Sequence, residues 1–186
     1  IQSRSDLYDQ LVLSFTYNTN SIEGSTLTEN ETAGIIFDGI TIKNKGLIEH
    51  LEAKNHQQAY SYLFEFVASG NHIDEDFILR LHEILMNGIK DDAGRYRNHG
   101  VRIVGSHVPT ANYLKVHERM KELIKAINGK SKDTIALVSL IHSTFEQIHP
   151  FSDGNGRVGR LIMAGTLLKE NLAPAVIKKQ KNEIRL

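Results

Sequence analysis

His149-Pro-Phe-Ser-Asp153-Gly-Asn155-Gly-Arg157-Val-Gly-Arg160-Leu-Ile-Met-Ala-Gly-Thr-Leu-Leu168 decides how this 186-residue chain must fold. From Val158 to Leu168 the residues are apolar on nearly every side apart from Arg160, the mark of a helix buried all round. Such a helix needs other helices about it. Pro150 sets where the preceding one ends, because proline disfavours helical geometry in the residue before it. Upstream of that break, Leu137, Val138, Ile141, Phe145 and Ile148 form one apolar stripe, which predicts a helix over about 133–148. The fold class is therefore all-α.

Working outward, a further helix is expected over about 113–128. Asp74 caps another that carries Phe77, Ile78, Leu81, Ile84 and Leu85. A long helix fits 45–68, where Leu47, Leu51, Ala59, Leu63, Phe66 and Val67 recur near helical period, and Ser69-Gly70-Asn71 stops it. Thr28-Glu29-Asn30-Glu31 is a capping box that opens a short helix ending near Asp38-Gly39. A first helix, through Leu7 and Leu11 to Phe15, is expected to loosen by Asn18-Thr19-Asn20. Residues 94–110 change character: Gly94, Gly100, Gly105 and Pro109 punctuate the alternation Val101-Arg102-Ile103-Val104, which reads as a small β-hairpin flap.

Composition narrows the function classes. Lys plus Arg total 22 and Asp plus Glu total 22, without the basic excess expected of a nucleic-acid-binding surface. The chain has no cysteine, which excludes a thiolate nucleophile, a disulfide framework and Cys-ligated metal. That usage fits a reducing, cytoplasmic setting. No apolar run approaches the roughly 20 residues of a membrane span, and the polar start IQSRSDLYDQ has no signal-peptide pattern.

The loop between the last two helices carries the chemistry. Gly154-Asn155-Gly156 turns the backbone tightly and exposes amide N–H groups just before a helix, an arrangement that binds anions. Arg157 and Arg160 follow in its first turns, where cations oppose the macrodipole unless an anion is present. Two arginines over exposed amides imply a di- or triphosphate. Asp153 would weaken anion binding unless a hard cation such as Mg²⁺ bridges it to the phosphates. His149 can accept a proton near neutral pH. Taken singly, a histidine after a helix or an arginine at a helix start is ordinarily structural. Together, within twelve residues, they point to phosphoryl or nucleotidyl transfer. Other patterns fail on context. Gly154-Asn-Gly156-Arg-Val-Gly159 follows a helix rather than a strand, so it is no dinucleotide fingerprint. His82-Glu83-Ile-Leu-Met86 lacks the second histidine of a zincin helix, and Gly100-x-x-x-x-Gly105 lacks the Lys-Ser/Thr of a P-loop.

The run HPFSDGNGRVGR resembles the core motif of the Fic family, H-x-F-x-[D/E]-G-N-G-R-x-x-R, at every defined position. Gly94-Arg-Tyr-Arg97 with Val101-x-Ile103-x-Gly105-x-x-Val108-Pro109 resembles the family's flap, and Leu140-Ile-His-x-x-Phe145-x-x-Ile148 its helix leading into the motif. The resemblance implies a Fic-type helical domain, with residues 1–40 as an N-terminal segment and 41–186 as the core, its catalytic loop at 149–160. It implies transfer of AMP from ATP to a Ser, Thr or Tyr hydroxyl of a protein, with release of pyrophosphate. His149 would be the base. Asp153 would hold Mg²⁺, and Gly154, Asn155, Gly156, Arg157 and Arg160 would bind the phosphates. Phe151 would anchor the loop. Val104, Gly105, Ser106 and His107 would border the nucleotide, while the flap pins the target chain by backbone pairing.

Thr19-Asn-Ser-Ile-Glu23-Gly24 resembles the family's inhibitory pattern [S/T]-x-x-x-E-[G/N]. Glu23 would take the place of the γ-phosphate on Arg160 and let ATP bind only unproductively. The partners implied are ATP and a hydroxyl-bearing protein, the chain itself among the candidates, with neither nucleic acid nor membrane; the outer helices leave room for a homo-oligomer. The same residues would serve the reverse removal of AMP, the transfer of phosphate or UMP, or a nucleotide-binding regulatory module with little turnover.

Overall fold

A computed structural model describes residues 4–103 and 109–179, and among these residues there are seven α-helices and no strand. α1 (Arg4–Glu23) leads through a short loop to α2 (Glu29–Ala33), which continues as a π-helical turn, Gly34–Asp38. α3 (Leu47–Ala68) and α4 (Glu75–Met86) follow, then an irregular stretch to a 3₁₀ turn, Tyr113–Lys115. α5 (Val116–Ile127), α6 (Thr134–Ile148) and α7 (Asn155–Lys169) complete the order.

The caps form where the sequence places them. Thr28 accepts from the Glu31 amide at 3.2 Å while Glu31 reaches back to the Thr28 amide at 2.7 Å, a reciprocal box. Asp74 accepts from the Phe77 amide at 2.8 Å; Asp133, not among the caps expected from the sequence, accepts from the Ala136 amide at 2.9 Å. α6 ends at His149, whose left-handed backbone (φ 50°) turns the chain into Pro150.

α7 is the central helix. Val158, Leu161, Ile162 and Ala164 are fully buried, and the helix packs against α1, α3, α4 and α6. Around it one core gathers Phe15 of α1, Tyr60 and Leu63 of α3, Phe77 and Leu81 of α4, Met120 of α5 and Phe145 of α6. Each such side chain removed from water contributes roughly 1.5–3 kcal/mol. Leu27, Ile35 and Ile36 belong to that same core, so residues 1–40 supply part of the body's interior. No helix of the described residues is long and apolar enough to cross a membrane.

Two expectations need correcting or limiting. α1 does not loosen at Asn18-Thr19-Asn20 but runs on to Glu23. Its polar residues have partners there: the Thr16 hydroxyl meets His56 Nδ1 at 3.0 Å, Asn18 donates to the Ser14 carbonyl at 2.8 Å, and Thr19 accepts from Arg160. Tertiary bonds override weak propensity at these positions. The hairpin expected over 94–110 has no strand in its described part; residues 104–108 lie outside the described residues, and Val104, Gly105, Ser106 and His107 with them.

Candidate active site

The catalytic-loop candidates converge at the start of α7. Gly154 is its N-cap, with φ 77° and no side-chain cap, so the first amides of the helix receive no bond from a capping side chain. The left-handed backbone favours glycine, and a Cβ at this position would meet Met86 Sδ at 2.8 Å. Asn155 is buried and engaged at both ends: its Oδ1 accepts from the Phe151 amide and its Nδ2 donates to the Phe151 carbonyl, each at 2.9 Å. Its side chain therefore braces the loop. Phe151 is fully buried, as the anchor role requires.

Asp153 stands at the mouth of the loop with its side chain 45% exposed. Its Oδ1 accepts from the Gly154 amide at 2.6 Å, and its Oδ2 lies 3.3 Å from Lys90 Nζ. Burial pushes this carboxyl up, but the Gly154 amide, Arg157 and Lys90 outweigh that and hold it below the usual carboxylate range. It stays ionised and half-exposed, with Oδ2 facing Lys90. Among the described residues no three His, Asp or Glu side chains gather into a ready metal cage. A single half-exposed carboxylate beside a phosphate cradle instead fits Mg²⁺, which takes one or two carboxylates and fills its shell with phosphate oxygens and water.

His149 is largely buried; its Nδ1 lies 3.2 Å from the Glu146 carbonyl and 3.9 Å from the Glu146 carboxylate. Donation from Nδ1–H to that carbonyl leaves Nε2 as the free lone pair, the tautomer a base requires. Burial pulls the imidazole below its ordinary pKa, against the upward pull of the Glu146 carbonyl bond. Burial likewise pushes the Glu146 carboxyl up.

The two arginines divide. Arg157 is buried and donates to Glu52 of α3 at 2.8 Å, with Asp153 3.7 Å away. Arg160 donates to the Thr19 hydroxyl at 2.7 Å and, in a charge-assisted contact, to the Glu23 carboxylate. A Cβ at Gly156 would lie 2.5 Å from Glu23 Oε1 and 3.0 Å from an Arg160 nitrogen. The Glu23 carboxylate thus rests over the first turn of α7, against a residue that has no side chain to exclude it. Gly24 follows with φ 103°, another left-handed glycine.

Four residues important to this geometry were not singled out as site residues by the sequence reading. Glu52 sits one turn before the buried Asn55 and His56 on α3, and a charge on that stripe was the available signal. Lys90, His82 and Arg97 reach the loop from far along the chain. Arg97, buried, donates to the carbonyls of His149 (2.7 Å), His99 (2.6 Å) and Ala111 (2.5 Å). It fastens the root of the flap to the catalytic loop.

Comparison with known proteins shows what the chain and its fold are similar to. The "Protein adenylyltransferase Fic" of Nematostella vectensis is 32% identical over 173 residues, covering 88% of this chain and 39% of that protein. "Protein adenylyltransferase fic-1" of Caenorhabditis elegans is 31% identical over 169 residues, covering 88% and 33%. The chain thus spans well under half the length of these curated relatives. A solved structure of Fic-1 from C. elegans superposes with a TM-score of 0.85 at 26% identity, covering 96% of this chain and 55% of that one. A Fic domain containing signaling protein from Bacteroides thetaiotaomicron also gives 0.85 at 26% identity, with 95% and 71% covered. The Fic/DOC family profile matches residues 72–167, more than half of the sequence, and the loop just described falls inside that match. The chain belongs to the Fic/DOC family.

Proposed function

We propose that this domain is a protein adenylyltransferase that moves AMP from ATP to a Ser, Thr or Tyr hydroxyl of a protein, and that Glu23 holds it inactive. The observation that carries the reading is the convergence of a free imidazole nitrogen, an ionised carboxylate and uncapped helix amides on one short loop, in a chain whose relatives bear that name.

In the reaction, His149 Nε2 takes the hydroxyl proton as the oxygen attacks the α-phosphorus. The bond from that phosphorus to the α,β-bridging oxygen breaks, and pyrophosphate leaves. Asp153 would hold Mg²⁺, which when bound neutralises charge on the phosphates. The first amides of α7 and Arg160 face the charge that builds on the transferred and leaving groups. Arg157 is kept beside them by Glu52 and Asp153. With Glu23 on Arg160, the γ-phosphate has no counter-cation there, and ATP settles out of line for attack. Val104, Gly105, Ser106 and His107 are proposed to border the nucleotide, as the family resemblance implies.

The test is intact-mass spectrometry after incubation with Mg²⁺ and ATP. Glu23→Gly is expected to gain an AMP-sized mass on itself, while wild type and Glu23→Gly/His149→Ala do not. A phosphate-sized gain would keep the cradle and overturn the reaction. Equal labelling of wild type and Glu23→Gly would remove Glu23 from the account.

A further inference from the structure

His82 lies on α4, outside the motif, and is 1% exposed. Its ring stacks on Phe151 with the planes 5° apart and the centroids 3.7 Å apart. On one edge, Nδ1 receives the Gly94 amide at 2.9 Å. That bond requires a bare lone pair, so the proton is on Nε2, which donates to the Asp153 carbonyl at 3.1 Å. One neutral ring thereby joins the root of the flap to the peptide that carries Asp153. Burial is the main reason it stays neutral, its pKa pulled down to about 4.

We propose that His82 is a positioning residue for Asp153, setting the main chain of the carboxylate loop from the root of the flap through a donor on one edge of the ring and an acceptor on the other. The proposal rests on the reading of Asp153 as the carboxylate that holds a divalent cation on the phosphates. The geometry explains why an imidazole is used. The Asp153 side chain is half-exposed, and polar contacts rather than close packing set where it points. Its peptide sets the frame: Oδ1 is tied to the next amide, Gly154 N, with Arg157 3.7 Å away, and Oδ2 meets Lys90 at 3.3 Å. Holding the Asp153 carbonyl holds that arrangement. Glutamine also offers a donor and an acceptor, but both from one end, whereas the ring places them on separate edges with a flat face between for Phe151. The ring also stands beside Gly154, where a Cβ would lie 3.6 Å from its Cδ2.

A residue that orients a metal ligand without touching the metal typically changes affinity by about 10–100-fold when lost. The measurement is Mn²⁺ affinity in the presence of ATP, by electron paramagnetic resonance, on the full chain in the Glu23→Gly background. His82→Phe keeps an aromatic ring against Phe151, somewhat larger than the imidazole, but loses both bonds. It is expected to weaken Mn²⁺ about tenfold. Ile78→Ala, a cavity in the same helix at a fully buried position, serves as the destabilised comparison and should leave Mn²⁺ affinity within about twofold despite a comparable fall in Tm. If His82→Phe binds Mn²⁺ as tightly as its parent, or Ile78→Ala loses as much affinity as His82→Phe, His82 is only a packed core residue and the proposal is overturned. If the parent binds Mn²⁺ with ATP and His82→Phe weakens it, yet no variant transfers AMP, the reaction reading fails while the positioning role stands. If the parent binds no Mn²⁺ with ATP, the reading of Asp153 falls and this proposal falls with it.

Discussion

His149 ends α6 in a left-handed backbone that places its ring at the loop rather than along the helix. Its Nδ1 is turned to the Glu146 carbonyl, and burial lowers its pKa from the ordinary 6.5. The sign follows directly. A base works when deprotonated, and a depressed pKa keeps it deprotonated to lower pH, so activity is lost only as pH falls through that depressed value. We expect the acid limb of AMP transfer by Glu23→Gly to lie below pH 6.5 with a flat plateau above it, read from initial rates across pH. A limb at or above 6.5 would contradict the buried neutral base. The sequence marked this residue and its loop neighbours, because each lies within one short run. It could not show that the Asn155 amide would turn inward to Phe151, since both polar ends of an asparagine suit a phosphate as readily as a backbone.

At the scale of elements, the last turn of α1 is held less by its own sequence than by α7. Thr19 and Glu23 both terminate on the Arg160 guanidinium. Removing a charged hydrogen-bond donor from two acceptors typically costs about 1.5–3 kcal/mol. Arg160→Ala is therefore expected to raise amide hydrogen exchange across residues 20–25 by about tenfold or more, with α4 and α5 unchanged. Unaltered exchange in that turn would mean the helix end stands by itself. The same contacts explain what was legible. Helix starts with local caps, at Thr28 and Asp74, could be read from the sequence because donor and acceptor lie three residues apart. The continuation of α1 depends on partners in α3 and α7 more than thirty residues away, and no local pattern carries that information. Glu52 and Lys90 escaped notice for the same reason, and Arg97 was read only as part of the flap.

On the scale of the whole molecule, two histidines are buried neutral. Burial first, then the charges of Arg160 and Arg157, pulls His56 down to about 3, and burial pulls His82 down to about 4. The unfolded chain protonates these rings near 6.5, so between that pH and about 4 it binds more protons than the folded one. Stability must fall as pH falls through that window, each proton worth about 1.4 kcal/mol per pH unit. His142 and His149, also lowered by burial, add to this, and Glu146, raised by burial, opposes it by up to one proton. Urea unfolding at pH 6 and pH 5 should therefore register a net uptake of protons on unfolding and lower stability at pH 5, and equal stability at the two pH values would refute it. The pairing of Arg160 with Glu23 joins residues 137 positions apart in sequence. On a ribosome the amino-terminal partner emerges first, so the carboxylate already exists when the arginine is made. If Glu23 restrains the site as proposed, a nascent chain has no interval in which the cradle can form before its guard has been synthesised, and the direction of translation itself would supply the restraint.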